Sequence, residues 1–174
     1  TIKNKFAVCR FGNVSHSHGS VIPYWLGLRA DEKSLPLTHK EMNRLMFSRL
    51  EAARLVNAAV QKLEDESETF VLSQMMKTVN MFQLAKIISK DISHIGLRPG
   101  EKLNETLVSE KEIENTFLEG KYIVIRDYKN QGDNKLSGEY SSKNAKFMNE
   151  EEMKLMLTEA DKNLEQSLLK SKIY

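Results

Sequence analysis

The chain of 174 residues carries 26 Lys+Arg against 24 Asp+Glu, a net charge of +2, and 40% of it is hydrophobic. That length suits one domain with a core, and the near balance of charge argues against a nucleic-acid or membrane-surface partner. A single cysteine excludes an internal disulfide, no Cys/His cluster has zinc spacing, and no uninterrupted apolar run has the length of a membrane span or the form of a leader.

These features lead to the expectation of a soluble, intracellular protein. The chain starts at Thr1, and an apolar run, Phe6–Phe11, follows within a few residues. A strand so close to the start needs a sheet to join, so a fragment of a longer protein is expected. Phe6–Phe11 reads as a buried strand closed by Gly12-Asn13. Asn13–Gly19 is small, polar and aperiodic, which reads as a loop. Ser20 is a good N-cap for a helix carrying Val21, Ile22, Trp25, Leu26 and Leu28, with Pro23 tolerated in its first turn. That helix should end between Arg29 and Glu32.

Leu35-Pro36-Leu37-Thr38 reads as an edge strand, because proline cannot donate to a ladder. Arg44–Phe47 is a second short strand. Ser48 and Glu51 have capping-box spacing ahead of a helix whose apolar positions are Ala52, Leu55, Val56, Ala59, Val60 and Leu63. Phe70–Leu72 is a strand. Asn80 opens a helix with Met81, Leu84, Ile87 and Ile88 on one face, and Ile92–Leu97 is the next strand. Helical patterns are expected over Glu101–Leu107 and Ser109–Phe117, then a strand at Tyr122–Ile125. Lys129–Ser142 reads as a mobile loop. A charged helix follows from Asn149, its apolar face fading after Leu157, with a helical tail over 159–174. Irregular alternation of short strands and helices gives an α/β fold with strands of mixed orientation.

The chemistry-bearing residues cluster at turns. The sequence has neither G-x-G-x-x-G nor a Walker A pattern, so it carries no dinucleotide or P-loop cradle. Arg98-Pro99-Gly100-Glu101 follows a strand, and its Pro-Gly turn sets Arg98 and Glu101 on one corner. An arginine fork there can bind a diphosphate while the carboxylate accepts from ribose hydroxyls; the alternative is a surface ion pair. Arg44 is either aimed by its strand or a solvated edge residue. His16 and His18 have no further ligands nearby, so no metal is expected; they are acid–base groups in type, or plain loop residues. Cys9 reads as a buried, inert thiol, the methionines as gap fillers, and Tyr24 with Trp25 as helix packing.

Several motifs occur in order: Arg10-Phe11-Gly12-Asn13-Val14, His18-Gly19-Ser20-Val21-Ile22-Pro23, Leu37-Thr38, Met42-Asn43-Arg44, Glu51-Ala52 and Ile95–Leu107. Together they resemble the C-terminal, substrate-binding half of extended short-chain dehydrogenase/reductases of bacterial polysaccharide biosynthesis. The type that they resemble best is the UDP-N-acetylglucosamine 4,6-dehydratase (5-epimerising) of capsule and O-antigen pathways. Glu139–Asn144 followed by Glu151–Lys154 resembles the C-terminal extension of the capsular branch.

The resemblance implies a substrate-binding domain over residues 1–158, with 1–14 belonging to a Rossmann sheet most of which lies in an N-terminal half. It implies that Asn13, Arg44 and Arg98 bind the diphosphate, Val21 touches the substrate, Thr38 meets the uracil and Glu101 holds the ribose. Val14, Ser15, His16, Ser17 and His18 would lie beside the nicotinamide of NAD or NADP. His18 stands where the family usually has arginine. The Tyr-x-x-x-Lys pair that carries catalysis in the family is absent from this sequence, so no catalytic residue, bound cofactor or activity is expected of this chain alone. The parent enzyme would combine lyase and isomerase chemistry: oxidation at C4, loss of water across C5 and C6, and return of the hydride. A homo-oligomeric cytoplasmic enzyme is implied. A stand-alone nucleotide-sugar binding or interaction module, without catalysis, is the alternative.

Overall fold

A computed structural model describes residues 5–65 and 68–158; the expected tail over 159–174 lies outside the described residues. Among the described residues, eleven short strands, three helices and a further helical stretch at residues 150–158 are arranged as two hydrophobic cores side by side.

The first core is built on a four-stranded sheet of β1 (Ala7–Cys9), β5 (Phe70–Gln74), β10 (Tyr122–Ile125) and β9 (Thr116–Glu119), in that spatial order. β1 and β5 are parallel and the other pairs antiparallel. The crossover between the parallel strands contains α2 (Arg49–Asp65), as parallel pairing demands. The expected capping box starts this helix: Glu51 N–H donates to Ser48 Oγ at 3.2 Å and Ser48 N–H to Glu51 Oε2 at 2.8 Å. Leu55 and Ala59 are buried against the sheet, but Val56 and Val60 are exposed and do not belong to the expected inner face. A 3.6-residue period turns them about a hundred degrees away from Leu55 and Ala59.

β1 itself corrects the expectation of a core strand. It lies at the sheet edge, Val8 is 52% exposed, Phe6 is also exposed, and only Ala7 and Cys9 face inward. Cys9 is half-buried, and burial raises its thiol pKa.

The second core gathers α1 (Val21–Ala30), α3 (Met81–Ile88) and the helical residues 150–158 around the pair β3 (Leu35–Leu37) and β7 (Ile92–His94). Trp25 is buried there and donates its indole N–H to Pro36 O at 3.1 Å. Tyr24 is exposed, contrary to its expected packing role. Asn80 caps α3 by accepting from Gln83 N–H at 3.0 Å. Asn149 and Glu152 form another capping box ahead of residue 150.

The two cores are joined by a three-stranded sheet of β2 (Asn13–Val14), β4 (Asn43–Phe47) and β6 (Lys77–Asn80). β2 occupies part of the expected loop and pairs in parallel with β4 through Met46 and Phe47.

The expected helix over Glu101–Leu107 is absent; its end is β8 (Thr106–Val108), paired with β11 (Tyr140–Ser141). The expected helix over Ser109–Phe117 shortens to a 3-10 turn at Glu110–Asn115, followed by β9. Gly120, at φ 61°, opens the two-residue loop that returns β9 into β10, a conformation glycine adopts without steric cost. Lys129–Ser142 is anchored rather than loose. Asn130 is buried and donates to Thr116 O at 2.8 Å, and the Tyr140 hydroxyl bonds Met76 N–H and Met76 O.

Candidate functional site

A cavity of about 400 Å³ opens between the joining sheet and the second core. β2 brings Asn13 and Val14 to it, Ser15 follows directly after the strand, and the start of α1 brings Ser20 and Val21. β4 contributes Arg44, β3 and its exit contribute Thr38, and the turn after β7 contributes Arg98 and Glu101. Ile22, Trp25, Met42, Met46 and Met81 complete an apolar wall.

Nine of the eleven residues singled out from sequence therefore line one cavity: Asn13, Val14, Ser15, Ser17, Val21, Thr38, Arg44, Arg98 and Glu101. His16 and His18 do not line it. His18 is exposed, and His16 turns away to bond the carbonyl of Met156 at 3.0 Å.

Arg44 is not a solvated edge residue. Its side chain is only 12% exposed, its Nε lies 3.2 Å from Glu105 Oε1, and its Nη1 donates to Asn43 O and Lys102 O. Its Nη2 has no hydrogen-bond partner among the described residues, so one end of the fork remains available at the cavity. Asn13 Nδ2 donates to Glu105 Oε2 at 2.9 Å, so one carboxylate orients both side chains.

At the Arg98 corner the turn forms as expected: Glu101 N–H donates to Arg98 O at 3.0 Å, and Arg98 N–H donates to Glu101 Oε2 at 2.9 Å. The Arg98 guanidinium makes no ion pair with Glu101 and has no partner among the described residues, which removes the surface-pair alternative. Two arginines with unused donors thus face one cavity, an arrangement that suits a multivalent oxyanion.

Sequence reasoning did not give Glu105 or Ser20 a site role. Glu105 stands in the run after Arg98, and a largely buried guanidinium demands a nearby anion, so a carboxylate in that run was the available signal. Ser20 stands at the N-cap of α1 without making a cap bond; the residue lines the cavity, and its buried hydroxyl has no partner among the described residues. Among the described residues no group of His, Cys, Asp and Glu could hold a metal ion, and no helix is long and apolar enough to cross a membrane.

The model of the family described as "Polysaccharide biosynthesis protein" matches residues 1–127. A protein of Methanocaldococcus jannaschii named an uncharacterized membrane protein is 34% identical over 170 residues, 90% of this chain and 50% of that protein. The UDP-glucose 4-epimerase of Rickettsia bellii is 34% identical over 176 residues, 91% of this chain and 51% of its own length. The UDP-N-acetylglucosamine 4,6-dehydratase (inverting) of Campylobacter jejuni is 31% identical over 126 residues, covering 71% of this chain and 37% of the dehydratase. Among solved structures, Pen from Bacillus thuringiensis superposes with a TM-score of 0.77 at 25% identity, over 88% of this chain and 50% of Pen. The chain spans about half the length of the first two of these relatives. Motif order, mixed α/β fold and family match agree: the chain belongs to the polysaccharide biosynthesis proteins of the extended short-chain dehydrogenase/reductase type.

Proposed function

We propose that this chain is the substrate-binding part of an NAD(P)-dependent UDP-sugar 4,6-dehydratase/epimerase of surface polysaccharide biosynthesis, acting on a UDP-N-acetylglucosamine-type substrate. The observation that carries the reading is the pair Arg44 and Arg98, both with unused donors at one cavity. In this reading the two guanidinium groups neutralise the diphosphate, and Asn13 reaches one of its oxygens by turning an amide N–H away from Leu45 O, its longer partner at 3.3 Å. Arg44 is pre-oriented by Glu105, so little rotamer entropy is lost when the anion arrives. Glu101 accepts from the ribose through the carboxylate oxygen that the turn leaves free, and Thr38 meets the uracil. Val21 and the buried Ser20 hydroxyl approach the sugar. The names of the Rickettsia and Campylobacter relatives support a UDP-sugar as the ligand class.

A nicotinamide cofactor bound beside Val14, Ser15 and Ser17 would supply reversible hydride transfer at the sugar. The residues of this chain fit an edge of such a site rather than a cradle. Val14, Ser15 and Ser17 line one end of the cavity, while the glycine-rich pyrophosphate turn is missing from the sequence. In the reading these residues shield the reacting carbon from water and set the sugar's distance from the cofactor.

The test is reconstitution. The chain is mixed with the nicotinamide-binding N-terminal half of a family relative and NAD or NADP, and UDP-N-acetylglucosamine conversion is followed. Turnover that needs both halves supports the proposal. UDP binding by this chain with no turnover in any combination favours the alternative, a nucleotide-sugar binding module without catalysis.

A further inference from the structure

His16 stands out on three counts. It lies in the middle of the segment whose other members, Val14, Ser15 and Ser17, line the cavity, yet its own side chain points elsewhere. Its backbone takes the left-handed conformation, φ 55°, which costs energy for any residue with a Cβ and which histidine tolerates better than most. Its Nε2 meets the carbonyl of Met156 at 3.0 Å, 140 residues further along the chain.

Met156 belongs to the helical residues 150–158, and that helix is firmly seated. Met153 and Met156 are buried in the second core, Asn149 and Glu152 cap its start, and Lys77 of β6 pairs with Glu152. On its other side the segment is fixed by Ser15 N–H, which donates to Phe47 O of β4 at 2.9 Å. The rim Val14–Ser17 is therefore held between β4 and the C-terminal helix, with His16 as its link to that helix. Residues 150–158 lie beyond the stretch matched by the family model, which ends at 127.

We propose that His16 is a positioning residue. Through its bond to Met156 O it pins the Val14–Ser17 rim to the C-terminal helix, so that the seating of this helix sets the shape of that end of the cavity. The left-handed turn at His16 is what directs the ring outward while Ser15 and Ser17 stay at the cavity. The importance of this for a sugar nucleotide rests on the proposed function; the mechanical coupling of rim and helix does not.

Amide hydrogen exchange on the full chain tests it, comparing wild type with His16→Ala, His16→Gln and His16→Gly. Alanine and glutamine keep a Cβ at the strained backbone, but only glutamine has an amide donor long enough to reach Met156 O. Glycine relieves the strain and lacks the donor. In the alanine and glycine variants, exchange at Ser15, Ser17 and residues 153–156 should rise together by about fivefold, the size of one lost hydrogen bond. Glutamine should restore the wild-type rates. Unchanged exchange in His16→Ala, faster exchange at the rim without a change in the helix, or no rescue by glutamine would overturn the proposal. UDP titration of the same proteins keeps the two readings apart. No binding even to wild type counts against the substrate reading and leaves the exchange result standing on its own.

Discussion

The Arg44 guanidinium sits 3.2 Å from the Glu105 carboxylate, and the arginine side chain is four times less exposed than its partner, 12% against 45%. The geometry makes Glu105 the group that holds Arg44 in place rather than the reverse. A mostly buried cation that loses its counter-ion keeps its desolvation cost without the attraction that offset it. Glu105→Gln preserves shape and removes the charge. It should lower stability by about 1–2 kcal/mol, moderated by the solvent around Glu105. Urea denaturation checks this: the midpoint should fall with the slope unchanged.

A second ion pair, Arg10 with Glu112 at 2.7 Å, ties β1 to the 3-10 turn, and Arg10 Nη1 also donates to Leu107 O. The Arg10 hydrogen bonds, helped by those from Ser109, bring the Glu112 carboxyl down from 4.5 to about 2. A carboxyl lowered on folding contributes stability that is complete above its ordinary pKa and is lost as pH falls from about 4.5 towards 2. Both side chains are about one-third exposed, so the contribution is discounted to about 1–2 kcal/mol. Arg10→Met should remove it at neutral pH and flatten the loss of stability between pH 5 and 3, read by thermal melts across that range.

Gly12, just before β2, is a place where no side chain fits. A Cβ there would meet Leu45 O at 2.7 Å and Met76 Sδ at 2.8 Å. Methionine can move; the backbone oxygen of a central strand cannot without distorting the ladder. Gly12→Ala should therefore cost about 1–3 kcal/mol, the usual range for overpacking. Calorimetric melting checks it, and an unchanged melting temperature would mean that β2 and β4 can part without cost.

The buried Tyr140 hydroxyl bonds both Met76 N–H and Met76 O, and burial raises its pKa. Tyr140→Phe leaves the Met76 amide without a partner in the core. A destabilisation of about 1–3 kcal/mol is expected from that unsatisfied donor. Chemical denaturation should show it while the circular dichroism spectrum stays unchanged.

Elements with a strong local signal were legible in the sequence. Ser48 with Glu51, and Asn80 ahead of Met81, mark helix starts through bonds made within a single turn. β5 and β10 are short β-branched and aromatic runs. The failures share a cause in long-range pairing. Glu101–Leu107 has a helical pattern, but Leu107 and Val108 are used by β8 against β11, about thirty residues later. β6 lies in a run with little alternation and exists because it pairs with β4. β1 looks like a core strand, and within the described residues its outward positions, Phe6 and Val8, are left exposed. At the cavity, sequence supplied the arginines and the turn. It gave no indication that His16 faces Met156, because nothing local records a contact across 140 residues.

Arg98 is exposed and its guanidinium makes no bond with the described residues, so its removal should leave stability intact. Arg98→Ala should weaken UDP-sugar affinity by about 1.5–3 kcal/mol, the range for a charged hydrogen bond. Calorimetric titration beside a thermal melt separates the two effects.

The most direct measurement is an amide NMR titration of this protein with UDP. Shifts that saturate at Asn13, Arg44, Thr38 and the Arg98–Glu101 turn are the predicted result, with those at the turn weakened in Arg98→Ala. No shifts at millimolar UDP, or shifts confined to residues away from this cavity, would contradict the claim that it holds a nucleoside diphosphate.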